Sequence, residues 1–319
     1  MTIEQKPTKK QYSSLGAMVA KKDFEALFEK LKQYENDDED KKTLLSLAKD
    51  SNFTIADELL YSIPRFAVKD KEVVEEEEDS MTSMFGGGAV TIEKPVVEEA
   101  ELCPYLLESV DLLLKLGANP NATIINGITA TILSATVNNP ELLKTLINNP
   151  HEFQDYDTGK FINLRGDVTA QDNKGHDLLY YAAISNSLTT LEYLVKEQGL
   201  DMNRQMFFYE NKTLLHLLCQ GLNESPTLSI SGYDFELDVV PHTQPAIEKL
   251  IELGVNATLV DNYGNLAEMD VPYESDEENY KEEEMPEETK NNWEEVFQLV
   301  GNHRKYQEIN KAPTYKLNF

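Results

Sequence analysis

Apolar residues return every three or four positions through most of this chain, in short bursts separated by polar turns. Leu15, Met18, Val19, Phe24, Leu27, Phe28 and Leu31 mark an amphipathic helix or helix pair over residues 14–34. Asp37 to Asp40 reads as a solvated acidic loop. Thr43-Leu44-Leu45-Ser46-Leu47-Ala48 then opens a helix, and a second runs from about Thr54 to Tyr61 before Pro64 ends it. Leu106, Leu107, Val110, Leu113, Leu114 and Leu116 form a helix that stops at Gly117, a residue that takes the left-handed cap conformation cheaply. Gly127-Ile128-Thr129 enters another pair. The turn Asp172-Asn173-Lys174-Gly175 leads into the short apolar helix Leu178–Ala183, and Leu188 to Lys196 forms its partner. The pattern recurs about 36 residues later around Thr213-Leu214-Leu215-His216, the mark of a solenoid of helix-turn-helix units. Helices at Pro245–Leu253 and Trp293–Val300 close the series, and the tail from Tyr306 to Phe319 reads as extended.

Between these bursts lie stretches of another character. Residues 66–101 hold 11 acidic and 3 basic residues, with Glu75-Glu76-Glu77-Glu78-Asp79 and Gly86-Gly87-Gly88 among them. From Glu274 to Glu288 there are 9 carboxylates and one lysine. The resulting division is a flexible N-terminus (1–13), a cap and first repeat (14–65) and an acidic disordered insertion (66–102). Repeats follow over 103–270, with loop insertions at 150–168 and 222–243. An acidic insertion (271–290), a capping helix (291–305) and an extended tail (306–319) complete it. The formal net charge of −28 disfavours nucleic acid and anionic membrane surfaces and favours a protein partner with a basic surface. No stretch is apolar for long enough to form a signal peptide core or to insert in a membrane. Two cysteines, Cys103 and Cys219, suit a reducing compartment, so the expected location is the cytoplasm. Oligomeric state is not set by any of this.

Leu112-Leu113-Leu114-Lys115-Leu116-Gly117-Ala118-Asn119-Pro120-Asn121-Ala122 resembles the closing segment of an ankyrin repeat; Gly199-Leu200-Asp201-Met202-Asn203 and Gly254-Val255-Asn256 resemble it more loosely. The family's helix opening is echoed at Thr43-Leu44-Leu45-Ser46, Thr129-Ala130-Thr131-Ile132, Asp177-Leu178-Leu179-Tyr180 and Thr213-Leu214-Leu215-His216, and Asp261-Asn262-Tyr263-Gly264-Asn265 opens one more unit. The family's proline is missing from every opening, and its histidine survives only as His216. The resemblance implies an all-α ankyrin-repeat solenoid with short hairpin turns and about five or six repeats.

It also implies a non-catalytic scaffold or adaptor that binds protein through its concave groove and hairpin tips. Carried over position by position, the contact residues are Ile125, Asn126, Ile128, Thr136 and Val137 in one unit and Asn173, Lys174, His176, Ile184 and Ser185 in the next. Tyr209, Glu210, Lys212 and Gln220 follow, then Asn262, Tyr263 and Asn265. Two alternatives share this fold. A bacterial effector, with the Glu-rich segment Glu282–Glu288, would act in a host cytoplasm; a structural subunit of a cytoskeletal or ciliary assembly would lace its insertions and tail into neighbours.

Candidate chemistry is thin. His216 and Cys219 stand three apart on one helix, but a nucleophile pair needs a third orienting group, and His216 fills the repeat's structural position. Asp155-Tyr156-Asp157-Thr158-Gly159 starts like a calcium loop, yet Lys160 and Gly166 stand where that loop needs Gly and Glu. Gly86-Gly87-Gly88 lacks the Lys and Ser/Thr of a phosphate loop. His151, His176, His242 and His303 are dispersed, so no metal and no cofactor are expected.

Overall fold

Short polar side chains set the helix starts. The Thr54 hydroxyl accepts from Asp57 N at 3.1 Å while Asp57 accepts from Thr54 N at 2.8 Å, a reciprocal capping box. Thr129 caps at Ile132 N, Asp177 at Tyr180 N, and Asn139 at Glu141 N ahead of Pro140. The computed structural model describes residues 9–46, 48, 52–69, 99–154, 161–220, 227–230, 233–236, 244–271 and 287–311. Twelve helices lie among them: α1 (Lys9–Ala20), α2 (Phe24–Glu35), α3 (Asp38–Leu44), α4 (Ile55–Ser62), α5 (Leu106–Leu116), α6 (Ala130–Ser134), α7 (Pro140–Ile147), α8 (Leu178–Ile184), α9 (Leu188–Lys196), α10 (Leu214–Gln220), α11 (Gln244–Glu252) and α12 (Glu287–Lys311).

These helices stack in two rows. An inner row runs α1, α4, α6, α8, α10 and then the 3-10 turn Ala267–Asp270; an outer row runs α2, α5, α7, α9, α11 and α12. Inner helices also pack on the outer helices that follow them, α1 on α2 and α8 on α9 for example. Hairpins lead from an outer helix into the next inner one, with bridges Ile125 to Ile128, Met206 to Lys212 and Val260 to Leu266. The fold is therefore the helical solenoid expected from the sequence. Leu113, Leu179, Ala182, Leu194 and Leu215 are all buried in its core.

The insertions join this scheme at defined places. In the sequence, residues 70–98, 221–226 with 237–243, and 272–286 fall between an inner element and the outer helix that follows it, and they lie outside the described residues. The base of the first is closed: Val68 bridges Leu102, Cys103 N donates to Ala67 O at 2.8 Å, and Asn139 Nδ2 donates to Ala100 O at 2.9 Å. Glu75–Asp79, Gly86–Gly88, Asp155–Lys160, His242, the core of both acidic insertions and the last residues of the tail lie outside the described residues.

Several expectations need correction. Of the helix or helix pair expected over residues 14–34, the pair is found, α1 and α2, broken where Lys22 takes a φ of 57°. Helix α1 starts at Lys9, inside the stretch expected to be flexible. The acidic run 37–40 is no loop: Asp37 caps Glu39 N and Asp40 N, and three carboxylates fill the first turn of α3, where the helix dipole favours them. Thr43 thus sits at the end of α3, and Thr54 opens the inner helix instead. Helix α12 continues through Tyr306 to Lys311, where an extended tail was expected. Two small antiparallel hairpins, β1 (Glu152–Gln154) with β2 (Phe161–Asn163) and β3 (Thr227–Ile230) with β4 (Tyr233–Glu236), occupy stretches read as loop insertions.

Candidate functional site

The hairpin tips and the inner helices make the surface on which the candidate contact residues fall. Two tips share one device. Asp172 Oδ1 accepts from Lys174 N at 2.8 Å and His176 N at 2.9 Å; Asp261 Oδ1 accepts from Tyr263 N at 2.8 Å and Asn265 N at 2.9 Å. An Asp four residues before the chain turns back thereby replaces two backbone partners. Burial raises the Asp172 carboxyl, but His176 and the Tyr181 hydroxyl outweigh it and hold the group below its ordinary value. Asp261 is held low against burial by the backbone N–H groups of Asn265 and Tyr263.

Adjacent tips are also tied to each other. Asn173 N donates to Asn126 O at 2.8 Å, and Asn262 N donates to Glu210 O at 2.8 Å. Asn211 Nδ2 donates to Asn262 Oδ1 at 2.6 Å. With the His176–Tyr209 ring stack between the second and third, the four tips form a row in fixed register.

Of the candidate residues, Asn126, Asn173, Lys174, Glu210, Gln220, Asn262 and Tyr263 are exposed; Ile125, Thr136, Ser185, Tyr209, Lys212 and Asn265 are half-buried. Four are buried and present no free side chain: Ile128, Val137, His176 and Ile184. The reasons are local. Helix α8 is flanked by α6 and α10, so all seven of its residues, Ile184 included, are buried. The His176 ring lies between Tyr180 at 3.8 Å and Tyr209 at 4.9 Å, with Asp172 Oδ2 2.9 Å from its Nδ1. Ile128 seats the first hairpin, and Val137 O accepts from Thr190 Oγ1 at 2.6 Å. The exposed positions also divide: Asn126, Asn173, Lys174, Glu210, Asn262 and Tyr263 are on tips, whereas Gln220, like the half-buried Thr136 and Ser185, marks the far end of an inner helix.

Charges near the tips are largely internal. Arg204 is held by Asp177 at 2.7 Å, and Lys212 by Asp270 at 2.7 Å. Farther along, Arg304 Nε lies 2.9 Å from Glu268 Oε2 and Nη2 lies 2.8 Å from Oε1, which pins α12 to the 3-10 turn at 267–270. The transfer from the repeat pattern missed Phe207 and Phe208, both strongly exposed. Their signal was available: Phe207-Phe208-Tyr209 is a run of three aromatics outside any helical period, and a tight turn cannot bury all three.

His216 and Cys219 serve the core. His216 Nε2 donates to Asn265 O at 3.2 Å and Nδ1 lies 2.7 Å from Thr213 Oγ1, so the ring bridges to the next hairpin in its neutral form. Burial lowers its pKa. The Cys219 thiol is buried, and burial, with Asp270 and Glu268 nearby, pushes its pKa far up, the reverse of an activated nucleophile. Among the described residues, no group of three His, Cys, Asp or Glu could hold a metal ion, and no helix is long and apolar enough to cross a membrane.

Helix pairs joined by hairpins and stacked in two rows make a repeat solenoid whose exposed candidate residues fall mainly on the hairpin tips. A family model for ankyrin repeats matches residues 100–206 in three copies, and the chain carries ankyrin repeats there. Ankyrin repeats are generally protein–protein interaction modules. No curated protein matches the chain.

Proposed function

We propose that this chain is a non-catalytic scaffold or adaptor that binds a protein partner along its hairpin tips and concave groove. The observation that carries the reading is the row of tips fixed by inter-tip hydrogen bonds. It presents Asn126, Asn173, Lys174, Glu210, Asn262 and Tyr263 to solvent from successive units. Such a surface is pre-organised, so little ordering cost attends binding. The acidic insertions add a field that speeds approach of a basic partner surface without forming its contact.

The test is capture with quantitative mass spectrometry from the native cell. Lys174→Ala, Glu210→Ala and Gln220→Ala together should lose the partner while leaving the melting curve unchanged. Lys196→Ala with Glu197→Ala, on the outer row, should retain it. Loss from the outer-row variant alone, or capture of no protein by wild type, contradicts the reading.

A further inference from the structure

The hairpin between α9 and α10 departs from its neighbours. Between Met206 and Lys212 the chain inserts a 3-10 turn, Phe207–Tyr209, and completes the reversal with Glu210 and Asn211 at φ of 56° and 60°. Tyr209 turns inward and stacks on His176. Phe207 and Phe208 are left 83% and 71% exposed, edge to face with ring centroids 6.0 Å apart. Phe208 leans over Gly175, where an added Cβ would come within 2.9 Å of the ring. On the following tip Tyr263 is 69% exposed, and its hydroxyl donates to Glu210 Oε1 at 2.7 Å. Gln205 Nε2 donates to Val260 O at 2.8 Å, which brings the exposed Val260 alongside. Three aromatic rings, a valine and a carboxylate are thus exposed on two neighbouring tips that the Tyr263–Glu210 and Gln205–Val260 bonds hold together.

Neighbouring exposed aromatics of this kind mark contact surfaces, and aromatic anchors dominate the energy of such contacts. The charges select the occupant. A second copy of this chain would bring another formal charge of −28 and be repelled. Arg204 and Lys212 are folded into pairs with Asp177 and Asp270, and Lys174 is exposed on the preceding tip. Exposed on the two neighbouring tips are the Phe207, Phe208 and Tyr263 rings and Glu210, whose Oε1 accepts from the Tyr263 hydroxyl. Both attract a cation, and a planar guanidinium stacks on aromatic faces as an ammonium does not. We infer that the platform of Phe207, Phe208, Glu210, Val260 and Tyr263 takes an arginine-bearing apolar segment of a protein partner. The guanidinium lies against the rings and Glu210, and the flanking aliphatic side chains lie toward Val260. The inference rests on the protein-binding reading above and names the chemistry of the partner.

The test uses the full chain and a fluorescent probe peptide, Gly-Leu-Arg-Leu-Arg-Leu-Gly, followed by anisotropy at about 0.15 M salt, where bulk charge is screened beyond about 8 Å. A second peptide carries citrulline for both arginines, which keeps the shape and removes the charge. The arginine peptide should bind, and the citrulline peptide should bind at least about tenfold more weakly. Phe207→Ser/Phe208→Ser should lose binding by at least about tenfold with an unchanged melting curve. Should the double variant shift that curve, Phe207→Ser alone, at the most exposed ring, takes its place and should also weaken binding. Substituting Gln for Glu75–Glu78 should leave binding intact. Equal binding of both peptides, full binding by the serine variants, or no binding by wild type overturns the inference. Peptide failure with partner capture intact would remove the platform and leave the protein-binding reading; a wild type that captures no protein removes the reading itself.

Discussion

At the scale of single residues, the fold depends on a few polar groups that stand in for backbone partners. Leu179, buried in α8, is the plain apolar case: Leu179→Ala should cost about 2–5 kcal/mol through lost burial and a cavity, read as a fall in the urea midpoint. The titrating groups give a pH signature. His216 is neutral in the fold with a pKa below its ordinary 6.5, so the unfolded chain binds more protons as pH falls. Its stabilisation is full above 6.5 and is lost as pH falls through the folded value. Asp172 and Asp261 are held below the ordinary 3.8, so their contribution is full above that value and disappears below it. Urea midpoints should therefore decline as pH falls from about 7 toward about 5, and His216→Gln should flatten that limb even if it lowers the midpoint throughout. A midpoint independent of pH over that range would rule out a buried neutral imidazole. His216 was legible in the sequence because the repeat motif names its role. His176 was not: the pattern pointed it outward, while Asp172 and two tyrosines draw it in.

At the scale of elements, helices were read where apolar spacing and a boundary residue agreed. Leu106–Leu116 ending at Gly117 and Leu188–Lys196 match α5 and α9. They were misread where charge masked the pattern. The run 37–40 looked like loop because its carboxylates were counted as solvated, yet they complement the N-terminus of α3. Helix α12 runs past its apolar stretch because Arg304 and Gln307 hold it to Glu268 and Val255, contacts that no periodicity announces. Two glycines with positive φ, Gly127 in the first hairpin and Gly199 just beyond α9, give a sharp contrast. At Gly127 a Cβ would meet Asn173 Oδ1 at 2.6 Å and Asn173 N at 2.8 Å, the group that ties two tips together; at Gly199 it would meet nothing within 4 Å. Gly199→Ala should cost only the backbone term, about 1 kcal/mol. Gly127→Ala should cost clearly more, about 2–3 kcal/mol, because the Asn126–Asn173 contact must also open. Equal midpoints for the two variants would mean that the tips are not tied.

At the scale of the whole molecule, the hairpins precede the inner helices in the chain and the acidic runs follow inner elements, so the two can be altered independently. Because Val68 bridges Leu102 below the first insertion, replacing residues 70–98 with a short Gly/Ser join should leave the melting transition within a few degrees. A lost cooperative transition would show that the segment packs on the solenoid. The insertions should act on rate: partner association slows as salt rises, and Gln at Glu75–Glu78 and Glu282–Glu284 flattens that dependence. The central claim is that partners meet the tips and groove and not the outer row. Site-specific photo-cross-linking in the native cell tests it most directly, with benzoylphenylalanine placed in turn at Asn173, Phe207, Gln220, Glu141 and Lys196. The account predicts protein adducts from the first three positions and none from the two on the outer helices. Adducts from Glu141 and Lys196 alone, or from none of the five, would contradict it.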